Sequence, residues 1–421
     1  MTVRFGDEMA GLATCEIAVI GAGVVGMSVA HRLAREGHEV VMLDPGVPGM
    51  GASYGNAGTI ADYAVMPVGS PGVLRDLPSL LFDRDSPLAI RRAAILSLAP
   101  WLLRFLRQSL PGATARNAAA IGTLIADAGA RWADLATELG AQDLLQARGC
   151  LYYYETAAAF AAAKDDMAYR RRFGIPVDLI SADELSQMEP NLPAAAGAAY
   201  FPNARFFSDP GQLMARLAAA VAAVGVRHLP QKVLELRREV GGVVLEGEQS
   251  RVRAKRVVIA AGAHGRGLAR MAGDRVPLET ERGYHLEFEM ERPLLHRPVC
   301  PTTRGFYLCP MAGRLRVAGT VELGGLDPRP SPHRLEMLER GARAIFADLP
   351  APRRSWLGFR PSMPDSLPVI GPSQGGGDVF HAYGHGHIGL TLAPLTAQII
   401  ADMVAGREPG LDVTPFRVNR F

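Results

Sequence analysis

The first regular hydrophobic pattern is a short apolar run over residues 16–20, Glu-Ile-Ala-Val-Ile, which reads as a buried strand. Val25, Val29 and Leu33 then recur at helical spacing, Gly37 supplies a helix stop, and a second apolar run covers 40–43. Strand, helix and strand in that order make one βαβ unit. Residues 90–145 read as mostly helical, 151–154 as a strand and 157–173 as a helix. Asp209 and Pro210 provide an N-cap and a first-turn proline for a helix through Val224. Strands are predicted over 233–236, 243–245 and 255–260, with Gly241-Gly242 turning between the first two. Residues 283–321 are β-rich, and a last helix covers 390–404. The order predicts an α/β protein with two interleaved parts and no internal repeat.

Composition narrows the picture. At 421 residues the chain exceeds one compact core and has room for two domains. The net charge is only +3, and arginines are interleaved with acids, which argues against a nucleic-acid partner. Cys15, Cys150, Cys300 and Cys309 form no C-x-x-C pair, which suits free thiols and a cytoplasmic location. Residues 1–14 carry Asp7 and Glu8 and do not read as a secretory signal. No run reaches the roughly 18 apolar residues of a membrane span. The nearest candidate is 88–110, where Trp101, Leu102, Leu103, Phe105 and Leu106 sit beside Arg91, Arg92, Arg104 and Arg107, with Pro100 interrupting. It reads either as a helix packed on its own domain or as a basic amphipathic helix touching the inner face of a membrane.

The chemistry begins at Gly21-Ala22-Gly23-Val24-Val25-Gly26, which follows a strand and opens a helix. The first glycine permits the tight turn, the second admits a pyrophosphate close to the backbone, and the third lets helix and strand pack. Asp44, at the end of the second strand, is placed to accept both ribose hydroxyls of a dinucleotide. A second glycine-rich segment, Gly49-Met50-Gly51-Ala52-Ser53-Tyr54-Gly55-Asn56-Ala57-Gly58, replaces the helix expected of a simple nicotinamide domain. Its backbone N–H groups and the Ser53 hydroxyl suit a second phosphate and a flavin ring. His381, His385 and His387 alternate with other residues, but no acidic ligand is near in sequence, so no metal site is expected. Hydrolase, zinc-protease and Walker A patterns are absent.

These residues resemble the glycine/D-amino-acid oxidase (DAO) superfamily of FAD-dependent oxidoreductases, nearest the branch formed by the small chains of D-amino-acid dehydrogenases. The resemblance rests on the glycine motif with Asp44, the 53–58 block, Val257-Val258-Ile259-Ala260-Ala261-Gly262-Ala263, and a C-terminal pair. That pair is the 358–371 block around Phe359-Arg360-Pro361, and Gly384-His385-Gly386-His387-Ile388-Gly389-Leu390-Thr391. It implies a Rossmann-like FAD-binding domain from 12–90, 205–276 and 352–421. An α+β substrate domain on a mostly antiparallel sheet would come from 91–204 and 277–351. Gly21, Ala22, Gly23, Val24, Val25 and Gly26 would face the pyrophosphate and Asp44 the ribose, with Ser53 on a phosphate. Asn56, Ala57 and Gly58 would line the isoalloxazine. Val233 would meet the adenine, Ala261 and Gly262 the adenosine, and the 384–391 segment the pyrimidine edge. No cysteine follows Cys309, so FAD is expected to be noncovalent.

The resemblance further implies oxidation of a substrate C–N bond by hydride transfer to flavin N5, giving an imine. Candidate cations for the substrate carboxylate are Arg282, Arg304 and Arg360, with Arg360 first because it lies in a flavin block. Tyr284 and His285 alternate on a strand, so only one is expected to face the pocket. Tyr307 and His387 are further polar candidates. Several relatives carry an arginine where this chain has Leu308-Cys309-Pro310-Met311. Either another arginine substitutes or the substrate is not a simple α-amino acid, and cyclic imino acids such as D-proline or hydroxy-D-proline fit; the expected activity is that of a D-amino-acid or imino-acid dehydrogenase. The alternatives are a glycine/sarcosine-type oxidase producing peroxide, a 2-hydroxy-acid dehydrogenase, and a flavin-binding chain that only relays electrons in a complex. The electron acceptor, whether quinone, carrier or oxygen, stays open.

Overall fold

The βαβ unit forms where the apolar pattern puts it: strand Ala13–Ile20, helix Val24–Arg35 and strand Val40–Leu43. The computed structural model describes residues 13–75, 85–86 and 88–421. Residues 1–12, read above as lacking a signal, and parts of the first cofactor segment (76–84 and 87) lie outside the described residues. Val29 and Leu33 are fully buried, which is why the helical spacing was readable.

Two sheets organise the chain. In the first, Arg227–Leu229, Val40–Leu43, Ala13–Ile20 and Arg251–Ile259 are parallel neighbours. The long Arg251–Ile259 strand pairs antiparallel with Gly242–Gly247 at its start and parallel with Gly376–Tyr383 at its end. The last helix, Gly389–Val404, packs on Val24–Arg35 and is buried along most of its length. The second sheet runs Arg354–Ser362, Glu279–Glu289, Arg314–Leu323, Phe306–Met311, Val299–Pro301, Cys150–Tyr154, Gly197–Phe201 and Asp178–Ile180. Its pairings are antiparallel except where Val299–Pro301 meets Cys150–Tyr154 and where Leu88–Ile90 meets Arg314–Leu323. The architecture is the interleaved α/β arrangement expected.

Two segments sit differently from the expected division. Arg354–Ser362 and Leu88–Ile90, expected in the cofactor part, hydrogen-bond into the second sheet. The first of these carries Arg360 across to the second sheet. Segment 88–110 is not one helix but a strand, a 3₁₀ turn and the helix Ile95–Gln108, which continues through Pro100. Its Leu98, Trp101 and Phe105 pack with Leu323, and the two aromatic rings stack at 5.1 Å. Among the described residues no helix is long and apolar enough to cross a membrane.

Candidate active site

Backbone constraints build the glycine loop. Gly21 has φ +111°, and a Cβ there would lie 2.5 Å from the Ala260 carbonyl oxygen. A Cβ on Gly26 would overlap the Gly21 carbonyl, so the helix seats against the turn only with glycine. The Asp44 carboxylate accepts from the Ala22 and Gly46 N–H groups, both at 2.8 Å, and thereby fixes the loop. The Ser53 hydroxyl accepts from the Val24 N–H at 2.9 Å.

A continuous cavity of about 1700 Å³ starts at this loop. Asp44, Lys232 and Val233 line it together with Gly21, Ala22, Gly23, Val24, Val25 and Ser53. Asn56, Ala57, Ala261 and Gly262 continue the wall, with His385, Gly386, His387, Gly389 and Leu390 at the start of the last helix. The first residues of that helix, Gly389 and Leu390, line the cavity, and no side chain caps that end, so its free N–H groups are left for a ligand. Five expected cofactor residues stand behind the wall instead. Gly26 is the packing contact just described, and Gly58 (φ +73°) turns the chain against the Phe207 carbonyl. Gly384 turns against Met363, Ile388 joins the core, and the Thr391 hydroxyl accepts from the Ala61 N–H at 2.9 Å.

The second sheet closes the other end of the cavity. Gly283 and Gly358 face each other across neighbouring strands, and larger side chains fold over both. The Arg360 guanidinium lies over Gly283, and the Trp356 indole lies over Gly358 and Gly55, where any Cβ would overlap them. Among the described residues Arg360 donates to the Thr320 carbonyl at 3.0 Å and to no other acceptor, and it lines the cavity. Burial lowers its pKa, partly offset by Glu281, but a guanidinium stays protonated at any working pH. His387 projects into the same space, where burial and Arg360 hold it neutral with a pKa of about 4. Tyr307 is on the wall beside the Tyr152 hydroxyl at 3.4 Å, its own pKa pushed well up by burial.

Several expected substrate residues do not reach the cavity with free polar groups. Arg304 is held by Glu155 at 2.6 and 3.0 Å, away from the cavity, because a carboxylate at the end of a nearby strand captures it. Arg282 is locked by Glu322 at 2.7 Å and by the Arg329 carbonyl at 2.6 Å. The Tyr284 hydroxyl is committed to the same Glu322 at 2.7 Å. His285 lies under Trp356, stacked at 5.2 Å, with Nδ1 2.9 Å from the Gly55 carbonyl. The strand alternation does put Tyr284 and His285 on opposite faces; Tyr284 touches the cavity with its hydroxyl already committed, and His285 lies under the Trp356 ring.

Three residues escaped the sequence reading. Trp356 is one. Arg170, buried on helix Ala157–Arg171, lines the cavity, lies 5.4 Å from the Tyr152 ring centre and donates to the Tyr63 carbonyl at 2.6 Å. Arg316, fully buried, pairs with Glu287 at 2.6 Å and donates to the Asn56 carbonyl at 2.6 Å, clamping the 53–58 loop. Only pairing across the sheet and to a distant loop gives these arginines their positions. Arg316→Met is expected to free that loop and weaken FAD affinity at least ~10-fold, measured by titrating the stripped protein with FAD. Unchanged affinity would remove the clamp from the account.

Buried imidazoles also set a pH dependence. Burial lowers His285 to about 4 and His385 to about 3, against about 6.5 in an unfolded chain. The unfolded state therefore binds more protons below about pH 6.5, and stability falls as pH drops from there toward about 4. Melting temperature should be level above about pH 7 and decline below about 6.5. The decline should be shallower in His385→Gln; parallel slopes would exclude His385. Among the described residues no metal-holding group of three or more His, Cys, Asp or Glu occurs. His381 instead pairs with Asp274 at 2.7 Å in the core.

A family model described as DAO, FAD dependent oxidoreductase, matches residues 16–403. The chain belongs to the DAO family of FAD-dependent oxidoreductases. It is 34% identical over 417 residues to the D-amino-acid oxidase of Bradyrhizobium diazoefficiens, covering 96% of this chain and 98% of that one. D-amino acid dehydrogenase 2 of Ralstonia nicotianae is 32% identical, covering 96% and 100%. The glycine oxidase structure from Geobacillus kaustophilus superposes with a TM-score of 0.78 at 27% identity, over 97% of this chain and 99% of that one. The DAO-family cofactor fits the residues present. One cavity of about 1700 Å³ joins the glycine cradle of the first sheet to Arg360 and Trp356 on the second.

Proposed function

We propose that the protein oxidises the C–N bond of a D-amino acid, cyclic imino acids included, with noncovalently bound FAD. The observation that carries this reading is Arg360. Its guanidinium enters the cavity from the second sheet, and among the described residues no carboxylate is paired to it. A buried cation with spare donors suits a substrate carboxylate. Tyr307, Tyr152 and Trp356 supply aromatic wall for an apolar or cyclic side chain. The relatives above are named for D-amino acids, which favours that stereochemistry.

Gly21 to Val25 would hold the pyrophosphate, Asp44 the ribose, and Asn56 with Ala57 the ring. Bound there, FAD supplies the hydride acceptor. Arg360 orients the substrate, His387 offers a neutral hydrogen-bonding ring, and the stacked Trp356 excludes water. Cys300 touches the cavity, but burial raises its pKa to about 12 and keeps it a thiol, which supports noncovalent binding. Turnover with a dye acceptor, followed by assay of imine or 2-oxo acid, tests the reaction. Products from D-amino acids or D-proline are expected. Activity confined to 2-hydroxy acids would overturn the reading, and peroxide formed in air would mark an oxidase.

The helix Ile95–Gln108 supports a peripheral contact with an anionic membrane. Leu96 (89% exposed) and Leu103 (69%) lie seven residues apart on its outer side, with Arg104 and Arg107 exposed beside them. The holoprotein should sediment with anionic vesicles, and Leu96→Glu with Leu103→Glu should abolish this. Equal sedimentation of the double variant would exclude the helix.

A further inference from the structure

Glu281 is the strongest unused group in the cavity. It is 3% exposed, yet it lines both the main cavity and a small side chamber beside it. No arginine, lysine or histidine among the described residues is within ion-pair distance of its carboxyl. A buried carboxyl left without a cation is costly unless something else arrives to meet it.

Its position relative to Arg360 is specific. Glu281 and Arg360 are direct partners across two antiparallel strands. Side chains so placed start roughly 5 Å apart at Cβ. The two heads therefore offer a carboxyl and a guanidinium side by side, the charge pattern of an amino-acid zwitterion in reverse. The groups around Glu281 are few. Arg360 and Ser362 face it from the neighbouring strand, and His385 and His387 from the loop before the last helix. Ser366 and the apolar Ala64, Met66, Val68, Ile121, Met363 and Ile388 complete the chamber. On its own strand Arg282 is tied to Glu322. Among the described residues Arg360 is thus the one permanent charge it faces, since burial holds both histidines neutral near pH 7.

We propose that Glu281 receives the substrate's amine and takes its proton, while Arg360 holds the carboxylate. The inference rests on the amino-acid reading above and adds the group that prepares the nitrogen. In the step, one ammonium N–H bond breaks and one carboxyl O–H bond forms. The substrate becomes a neutral amine, Glu281 becomes a neutral acid, and no oxidation state changes. The freed nitrogen lone pair can then stabilise positive charge at Cα as the C–H bond is broken. Burial raises the Glu281 pKa, while Arg360 and the Ser362 hydroxyl lower it; the net upward direction is the one that makes a carboxylate a better proton acceptor.

The test compares wild-type holoprotein with Glu281→Gln, using a D-amino acid and benzoate, a carboxylate without an amine. The wild-type kcat/KM should show an acid limb. In Glu281→Gln, kcat/KM near neutrality should fall about 100-fold or more. Its acid limb should give way to a rise with pH that follows the free amine of the substrate. Benzoate binding by Glu281→Gln, read from the flavin spectrum, should not change across that pH range and should match, within about 2-fold, wild type below its acid limb. An unchanged acid limb with kcat/KM within about 3-fold overturns the proposal. Should Glu281→Gln not load FAD, the wild type decides. Benzoate should bind more tightly as Glu281 is protonated, with a midpoint matching the acid limb, and a flat affinity overturns the proposal. Benzoate binding that ignores Arg360→Ala would instead sink the amino-acid reading itself, and this inference with it.

Discussion

Replacing Arg360 by alanine is expected to raise KM for an amino-acid substrate by about 100-fold or more while FAD stays bound. Among the described residues the guanidinium makes one backbone contact, to Thr320, and leaves its remaining donors for a ligand. Its removal therefore deletes a charge-assisted contact to substrate without breaking an ion pair of the fold. Arg360→Lys should recover only part, because an ammonium cannot make the planar two-pronged contact. Gly283→Ala gives an independent route to the same loss. The new methyl would occupy the space of the Arg360 guanidinium and displace it. Steady-state kinetics and the flavin-to-protein ratio check both variants. A normal KM in Arg360→Ala would take Arg360 out of the carboxylate role.

Gly26→Ala is expected to yield protein that does not retain FAD. The added Cβ would overlap the Gly21 carbonyl oxygen, a backbone atom that cannot rotate away. Either the helix Val24–Arg35 lifts off the sheet or the loop shifts, and both spoil the phosphate cradle. The expected loss exceeds about 3 kcal/mol, at the upper end of overpacked core sites. Gly37→Ala is the control. Gly37 also has positive φ (+92°), but a Cβ there meets nothing within 4 Å. It should cost about 1 kcal/mol of backbone strain and keep its flavin. Absorbance spectra of the purified variants give the answer; a yellow Gly26→Ala protein of normal stability would contradict the packing argument.

The local signals were legible because they act over short spans. The spacing of Val25, Val29 and Leu33, the glycine turn and the Asp209-Pro210 helix start all depend on neighbours within one or two turns. Asp209 caps as its type suggests, accepting from the Gln212 N–H at 3.0 Å. The substrate end was harder to read because strand pairing decides it. Arg282, Arg304 and Arg360 look alike along the chain. What separates them is that Glu322 and Glu155, 40 and 149 positions away, capture the first two. Arg316 gave no signal because its loop partner, Asn56, is 260 residues distant. Gly283 and Gly358 read as ordinary strand glycines until the register sets them face to face beneath Arg360 and Trp356.

The account stands most directly on anaerobic mixing of the purified, FAD-loaded protein with paired D- and L-amino acids, D-proline and 2-hydroxy acids. The visible flavin band should bleach with D-amino or cyclic imino acids, and far more weakly at the same concentration in Arg360→Ala. A protein that takes up no FAD, or a flavin bleached by hydroxy acids alone, would contradict it.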